Sequence, residues 1–218
     1  GLRTDFKTMD GIVHAVDGVD FAVARGRSLG IVGESGSGKS QTGRAILRLT
    51  PRPGRVEARK LAFEGVDLLG ADERTMRDIR GKRIAMVLQD PKFSLNPVMT
   101  VGKQIAEAYR AHGEVDAKGA RTRALEMLAA VKMRDPERVY DAYPHELSGG
   151  MGQRAMIAMM LGTDPDLLIA EYHGRGRALT TGRPYDNRYV GFWWFRDGAV
   201  CRTREYYDQK VADAALSS

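Results

Sequence analysis

The sequence is poor in the residues that build disulfides and metal centres. Cys201 is the single cysteine, which excludes an intrachain disulfide and every multi-cysteine metal site and favours a reducing compartment. The four histidines are scattered along the chain. No apolar run approaches the roughly 20 residues that span a bilayer, and the first residues lack the form of a signal peptide. We therefore expect a soluble, cytoplasmic protein.

The composition fits a globular protein with a slight excess of positive charge. The chain has 218 residues, of which 43% are hydrophobic, enough for one large domain or two small ones. Its 34 Lys and Arg against 28 Asp and Glu give a formal charge of +6. This excess favours anionic partners such as nucleotides, nucleic acid or an anionic membrane surface, although a solvated basic surface explains it equally well.

A glycine-rich stretch that follows a short apolar strand carries the strongest chemical signal. The strand, residues 29–32, runs into Gly33-Glu34-Ser35-Gly36-Ser37-Gly38-Lys39-Ser40, and helix-compatible residues follow. Glycines let backbone N–H groups surround phosphate oxygens, and the positive end of the following helix points at the same anion. Lys39 can reach the β- and γ-phosphates, and the Ser40 hydroxyl can ligate Mg²⁺. The pattern predicts a P-loop for a nucleoside triphosphate; the alternative is an ordinary glycine-rich turn.

Two later stretches narrow this prediction. Gln89 ends an apolar strand just before Asp90-Pro91, where its side chain can reach a Mg²⁺-bound or attacking water; the alternative is a polar residue that only caps a strand. Ser148, Gly149 and Gly150 precede a methionine-rich helix. A hydroxyl and free N–H groups at a helix start predict an anion site, with a plain N-cap as the alternative.

Taken in this order, the P-loop, Gln89 and "LSGGMGQR" (residues 147–154) resemble the nucleotide-binding domain of ATP-binding-cassette (ABC) transporters. The similarity is strongest to the ATPase subunits of bacterial peptide and nickel importers and runs from about residue 2 to 170. It implies an α/β fold: a P-loop NTPase core with a mostly parallel sheet and flanking helices. It also implies an antiparallel β flank (residues 2 to about 30 and 56–70) and a helical subdomain (about 90–147) that touches the membrane subunit.

The same resemblance implies the site, its cofactors and its partners. ATP and Mg²⁺ are the expected cofactors, with Ser40 and Gln89 at the metal. The expected nucleotide-binding residues are Gly33, Glu34, Ser35, Gly36, Ser37, Gly38, Lys39, Ser40, Gln41, Ser148, Gly149 and Gly150. In the family the motif that corresponds to residues 147–154, called here the Ser148 motif, acts in trans on nucleotide held by a second cassette. A homo- or heterodimer is therefore implied. We expect transporter membrane subunits as partners, a peripheral location at the inner face of the cell membrane, and no nucleic acid.

The resemblance breaks down after residue 170. In the family an Asp-Glu pair follows this strand: the aspartate orients Mg²⁺ and the glutamate polarises the attacking water. Here Glu171 is followed by Tyr172. The family's later loop and the histidine that senses the γ-phosphate (the switch histidine) are also missing. His173 lies too close to the strand to replace that histidine. Gln89 and Glu171 remain catalytic candidates, but we expect weak or absent hydrolysis.

Residues 182–208 have a pattern of their own. They read as two strands around the turn Asp197-Gly198, a strong hairpin signal. A two-residue loop would pair Trp194 with Cys201, Phe192 with Thr203 and Tyr189 with Tyr206. The stretches "GRPYDNRY" and "FRDGAVCRTREYYD" resemble the C-terminal strands of the SnoaL-like, nuclear transport factor 2-like (ketosteroid-isomerase-like) fold.

These patterns predict a cassette over residues 1–170, a β-hairpin fragment of that second fold over 171–208, and a tail over 209–218. An engineered join, a frameshift and a natural fusion all fit a junction near residue 170. Three functions stay open: an ATP-binding cassette with poor hydrolysis, a small-molecule-binding or isomerase-like protein dominated by the tail, and a chimeric chain without an evolved function.

The junction also leaves a gap in the expected sheet. In the resembled fold the strand with the switch histidine lies between the P-loop strand and the strand at residues 167–170. Without it, buried N–H and C=O groups stay unpaired, at a cost of about 1 to 3 kcal/mol each. Residues 189–195 form the only later segment that is apolar on both faces. We predict that this segment fills the gap; otherwise the two strands close up or the nucleotide domain stays loose.

Overall fold

The computed structural model describes residues 1–25, 29–31, 36–87, 94–112, 115–177, 181–196 and 199–202, with the backbone alone for 171–177, 184–196 and 199–202. The strands in these ranges are β1 (Leu2–Thr8), β2 (Gly11–Val19), β3 (Gly30–Ile31), β4 (Arg55–Glu57), β5 (Ala62–Phe63), β6 (Val66–Asp67), β7 (Ile84–Val87), β8 (Leu167–Arg177), β9 (Pro184–Arg196) and β10 (Ala199–Arg202). The helices are α1 (Lys39–Ile46), α2 (Glu73–Ile79), α3 (Val101–His112), α4 (Ala117–Ala130), α5 (Pro136–Asp141) and α6 (Gly149–Leu161).

The chain divides into two units. The first comprises Gly1–Arg77 and Ile169–Ser218, and the second Asp78–Leu168. In the first unit an antiparallel sheet of order β2-β1-β4 forms the predicted flank. It buries Leu2 and Val16 against Ala45 of α1, so hydrophobic contact holds the helix on the sheet.

The strands β5 and β6 pair as a separate antiparallel hairpin in the first unit. Their two-residue loop is Glu64-Gly65, with φ of 46° and 86°. Positive φ at both central residues is what a tight hairpin turn requires, because that backbone twist matches the twist of the strands.

The strand β9 lies between β3 and β8 in the sheet of the first unit. It is hydrogen-bonded to β8, and it pairs antiparallel with β3, Gly30 opposite Gly191 and Ile31 opposite Val190. The predicted insertion of residues 189–195 beside the P-loop strand is thereby confirmed. Its backbone groups supply partners to strands whose facing edges would otherwise be unpaired.

The strands β9 and β10 on either side of residues 197–198 pair antiparallel, as predicted, but their register differs from the predicted one after the second pair. Arg196 pairs with Ala199 and Phe195 with Val200, and then a bulge shifts the pairing so that Trp194 lies opposite Arg202. The predicted pair of Trp194 with Cys201 is therefore wrong, because the bulge adds a residue to β10. The other two predicted pairs involve Thr203 and Tyr206, which lie outside the described residues.

The strand β8 does not end where the sequence pattern changes. Its first four residues, Leu167 to Ala170, are each at most 9% exposed, which agrees with a buried strand. The strand then continues through Glu171 to Arg177. Glu171 thus lies within a strand and not at a junction between strand and loop.

In the second unit the helices α3 to α6 pack around one apolar core. The fully buried residues include Val101 and Ile105 of α3, Leu128 of α4 and Ala155 of α6. The helices α4 and α5 begin at N-caps whose aspartate side chains accept backbone N–H groups, which stabilises helix starts. No helix in the described ranges is long and apolar enough to cross a bilayer.

The position of β9 predicts the effect of a backbone change. Val190→Pro removes an N–H from a strand with neighbours on both edges. We expect it to lower the free energy of unfolding by about 1 to 3 kcal/mol more than Val190→Ala, which keeps the N–H. Urea denaturation of the two variants measures the difference; equal midpoints would mean that β9 is not integrated into the sheet.

Candidate functional site

The glycine-rich loop leads directly into α1. Gly36 has φ of 86° and Gly38, the N-cap of α1, has φ of 89°; glycine adopts such values without strain. The first turn of α1 has no acidic residue. The positive end of the helix therefore meets no local carboxylate, and the loop and helix together favour an anion.

The backbone of β2 packs directly against Gly38 of this loop. A Cβ added to Gly38 would lie 2.1 Å from the carbonyl oxygen of Ala15 and 3.4 Å from Cγ2 of Val16. Only glycine fits at this distance. Sequence reasoning did not find this contact, because no local pattern links Ala15 to a residue so distant in the chain.

Lys39 places a positive charge within the loop. Its side chain is buried, at 8% exposure, and its Nζ donates to Oγ of Ser37 at 3.2 Å. An ammonium group held out of water beside the start of a helix favours an anionic ligand. The Oε1 atom of Gln41 is buried without a hydrogen-bond partner among the described residues, so it can accept a bond from a ligand or its water. These groups fit a triphosphate with a bound metal.

Other predicted loop residues, Gly33, Glu34 and Ser35, lie outside the described residues, and so does Gln89. Described residues lie on both sides of the segment that contains Gln89. It follows β7, whose four residues are all buried, and it precedes the loop 94–100.

Gln104 of α3 holds that loop through its buried side chain. Oε1 accepts the N–H of Asn96 at 2.8 Å, and Nε2 donates to the carbonyl groups of Asn96 and Met99 at 2.9 and 3.0 Å. Sequence reasoning missed this residue. The available signal was a polar side chain on the buried face of α3, next to Ile105 and one turn after Val101.

In the second unit a helix starts directly after Ser148, as predicted, and Ser148 is its N-cap; the anion site stays a prediction. Its Oγ accepts the N–H of Met151 at 3.4 Å, and Gly149 and Gly150 have open space where a Cβ would stand. Exposed N–H groups at a helix start form an anion site. The site residues thus fall into two groups, the loop before α1 in the first unit and the start of α6 in the second.

The side chain of Glu171 lies outside the described part of the chain, although its backbone is part of β8. Among the described side chains no group of three or more His, Cys, Asp or Glu could hold a metal ion. Metal binding at Ser40 and Gln89 therefore stays a prediction that depends on the phosphates of a nucleotide.

Comparison with known proteins gives one family. A family profile described as "ABC transporter" matches residues 16–171. The probable peptide ABC transporter ATP-binding protein y4tR of Sinorhizobium fredii is 53% identical over 171 residues, which cover 78% of this chain and 51% of the relative. The oligopeptide transport ATP-binding protein OppD of Bacillus subtilis is 48% identical over 171 residues, 78% of this chain and 48% of the relative. The chain spans about half the length of the curated relatives it matches.

A solved structure with a similar fold is a dimeric ATP-binding cassette, MJ0796, in a post-hydrolysis state bound to ADP and Pi. It is 27% identical in sequence and has a TM-score of 0.62, and the match covers 78% of this chain and 73% of the cassette. The helices and mixed sheets described above therefore follow a known nucleotide-binding architecture.

The two loop glycines predict different responses to alanine. Both have positive φ, which costs alanine about 1 to 2 kcal/mol, but only Gly38 also contacts Ala15. We expect Gly38→Ala to destabilise the protein clearly more than Gly36→Ala. Chemical denaturation without added ligand tests this. If the two variants unfold at the same denaturant concentration, the contact between β2 and Gly38 does not constrain the loop.

Proposed function

The chain belongs to the ABC transporter family, and on this basis we propose that it is an ATP-binding subunit of a peptide or nickel importer that hydrolyses ATP poorly. The observation that carries this proposal is the glycine loop before α1, with Lys39 buried beside Ser37. The peptide transport names of its relatives support the importer class.

Mg-ATP would bind at residues 33–41. The N–H groups of the loop and of the start of α1 would surround the phosphates, and Lys39 would neutralise the charge on the β- and γ-phosphates. Ser40 and Gln89 would hold Mg²⁺, which supplies charge stabilisation when bound. Gln41 would donate or accept a hydrogen bond at the nucleotide or its metal-bound water.

Hydrolysis would be weak because the second half of the site is changed. The family match ends at residue 171, and the strand continues past that residue. Ligands of α/β sheets bind at the carboxyl ends of strands, and Glu171 does not occupy such an end. One carboxylate at this position cannot both orient Mg²⁺ and polarise water, whichever of the two roles it takes.

The assembly would be that of a cassette dimer on membrane subunits. ABC-type cassettes dimerise, as the similar MJ0796 structure does. In such a dimer the Ser148 motif of one copy would contact the nucleotide of the other. The protein would then lie at the cytoplasmic face of the membrane, held by transporter membrane subunits.

The tail would serve the nucleotide site through the sheet. Its strand β9 pairs with β3, the strand that leads into the glycine loop, so the tail would support nucleotide binding by fixing that strand. The resemblance of residues 171–208 to the SnoaL-like fold stays a prediction, and so does a separate ligand pocket there. A role within the sheet is the interpretation that the pairing favours.

One prediction of the proposed function concerns nucleotide binding. Mg-ATP at 100 times its dissociation constant should stabilise the protein by about 2.7 kcal/mol. Lys39→Ala should abolish this stabilisation, because it removes the charge nearest the β- and γ-phosphates. Thermal denaturation with and without Mg-ATP measures both, with the exposed Lys60→Ala as the control. An equal stabilisation of wild type and Lys39→Ala would refute the P-loop assignment.

Another prediction of the proposed function concerns the rate of ATP hydrolysis. Loss of one transition-state contact commonly costs about 10²-fold or more, so we expect steady-state hydrolysis well below about 1 s⁻¹. Phosphate release measured against Lys39→Ala as background tests this. A rate of about 1 s⁻¹ or above that disappears in Lys39→Ala would show that the changed half of the site still functions.

A further inference from the structure

Residues 148–150 of the Ser148 motif are exposed. Added Cβ atoms on Gly149 and Gly150 would meet nothing within 4 Å. The cap bond from Met151 N–H to Oγ of Ser148 measures 3.4 Å, longer than the usual value of about 2.9 to 3.0 Å. The placement of Ser148 depends on α6, where the Gly152 N–H donates to the Ser148 carbonyl at 2.9 Å, and on the segment that precedes it.

That segment is firmly anchored where it starts. The N–H of Val101, at the beginning of α3, donates to the carbonyl of Ala142 at 2.9 Å. The buried ring of Tyr140 packs on Gly102, where an added Cβ would lie 2.0 Å from the ring. The guanidinium of Arg121 lies 4.3 Å from the centre of that ring. Residues 140–142 are therefore fixed to the start of α3.

Between Ala142 and Ser148 the chain closes into a turn through Glu146. The Glu146 carboxylate accepts the N–H of Tyr143 at 2.6 Å, and the Glu146 N–H donates to the carbonyl of Tyr143 at 3.0 Å. The rings of Tyr143 and His145 stack, with centroids 5.7 Å apart and planes 18° apart. A hydrogen bond to a carboxylate is shorter and stronger than one between neutral groups. This bond closes the turn across residues 143–146.

We propose that Glu146 is a positioning residue of the Ser148 motif. Its carboxylate holds the turn 143–147, and the turn directs the Ser148 hydroxyl and the first N–H groups of α6 outward. This inference rests on the proposed function, in which those groups meet the nucleotide of a second copy. Glu146 itself would not touch the nucleotide.

The test uses the full chain and four variants. Sedimentation velocity with Mg-ATP measures nucleotide-dependent dimerisation, and hydrogen–deuterium exchange without nucleotide measures the protection of residues 143–152. We expect Glu146→Ala to weaken dimerisation by about fivefold or more and to speed exchange in that segment. Glu146→Gln should restore both, because its amide oxygen accepts the same N–H. Glu137→Ala, an exposed acid of α5, serves as the matched control.

Ser148→Ala separates the inference from the proposed function. If Ser148→Ala weakens dimerisation but Glu146→Ala does not, the positioning role is wrong. It is also wrong if Glu146→Ala leaves exchange unchanged, or if Glu146→Gln behaves like Glu146→Ala. A wild-type chain that stays monomeric with Mg-ATP, or dimerisation unaffected by Ser148→Ala, contradicts the trans arrangement instead. The exchange comparison then decides alone whether Glu146 orders the motif.

Discussion

The pairing of β9 with β3 and β8 is the constraint on which the first unit depends. A buried strand must have partners for its N–H and C=O groups, and each unsatisfied group costs a substantial part of a stability of about 5 to 15 kcal/mol. Within the described residues β3 comprises Gly30–Ile31, and both of these residues pair with β9. Because the glycine loop follows β3, a segment from much later in the chain lies beside the strand that leads into that loop.

The glycine loop carries the described features that favour an anion. Its positive φ values, its contact with Ala15 and the buried charge of Lys39 all belong to anion binding. They involve residues before the point at which the family match ends. Catalysis needs further groups placed at a strand end, and there the chain continues as β8. In the proposed function nucleotide binding persists while hydrolysis is weak.

In the second unit, polar side chains fix the loops through backbone hydrogen bonds. Gln104 holds the loop 94–100 with three such bonds, and Glu146 closes the turn before Ser148. The loop 94–100 also buries Leu95 in the apolar core of the unit, so its hydrogen bonds act together with hydrophobic contact. Hydrogen bonds have fixed directions, so they set the position of an exposed loop with precision.

The sequence by itself determined the glycines before α1, the helix start at Ser148 and the pairing of the two strands that flank residues 197–198, because each depends on residue types that are adjacent in the chain. It also predicted that a tail segment would fill the sheet, since the hydrogen-bonding need of buried strands is general. Only the tertiary structure decided the bulge that places Trp194 opposite Arg202, the contact of Gly38 with β2 and the hydrogen-bond partners of Gln104. These contacts join residues that are distant in the chain. Packing between elements selects among many possible registers and neighbours, and local sequence patterns do not encode that packing.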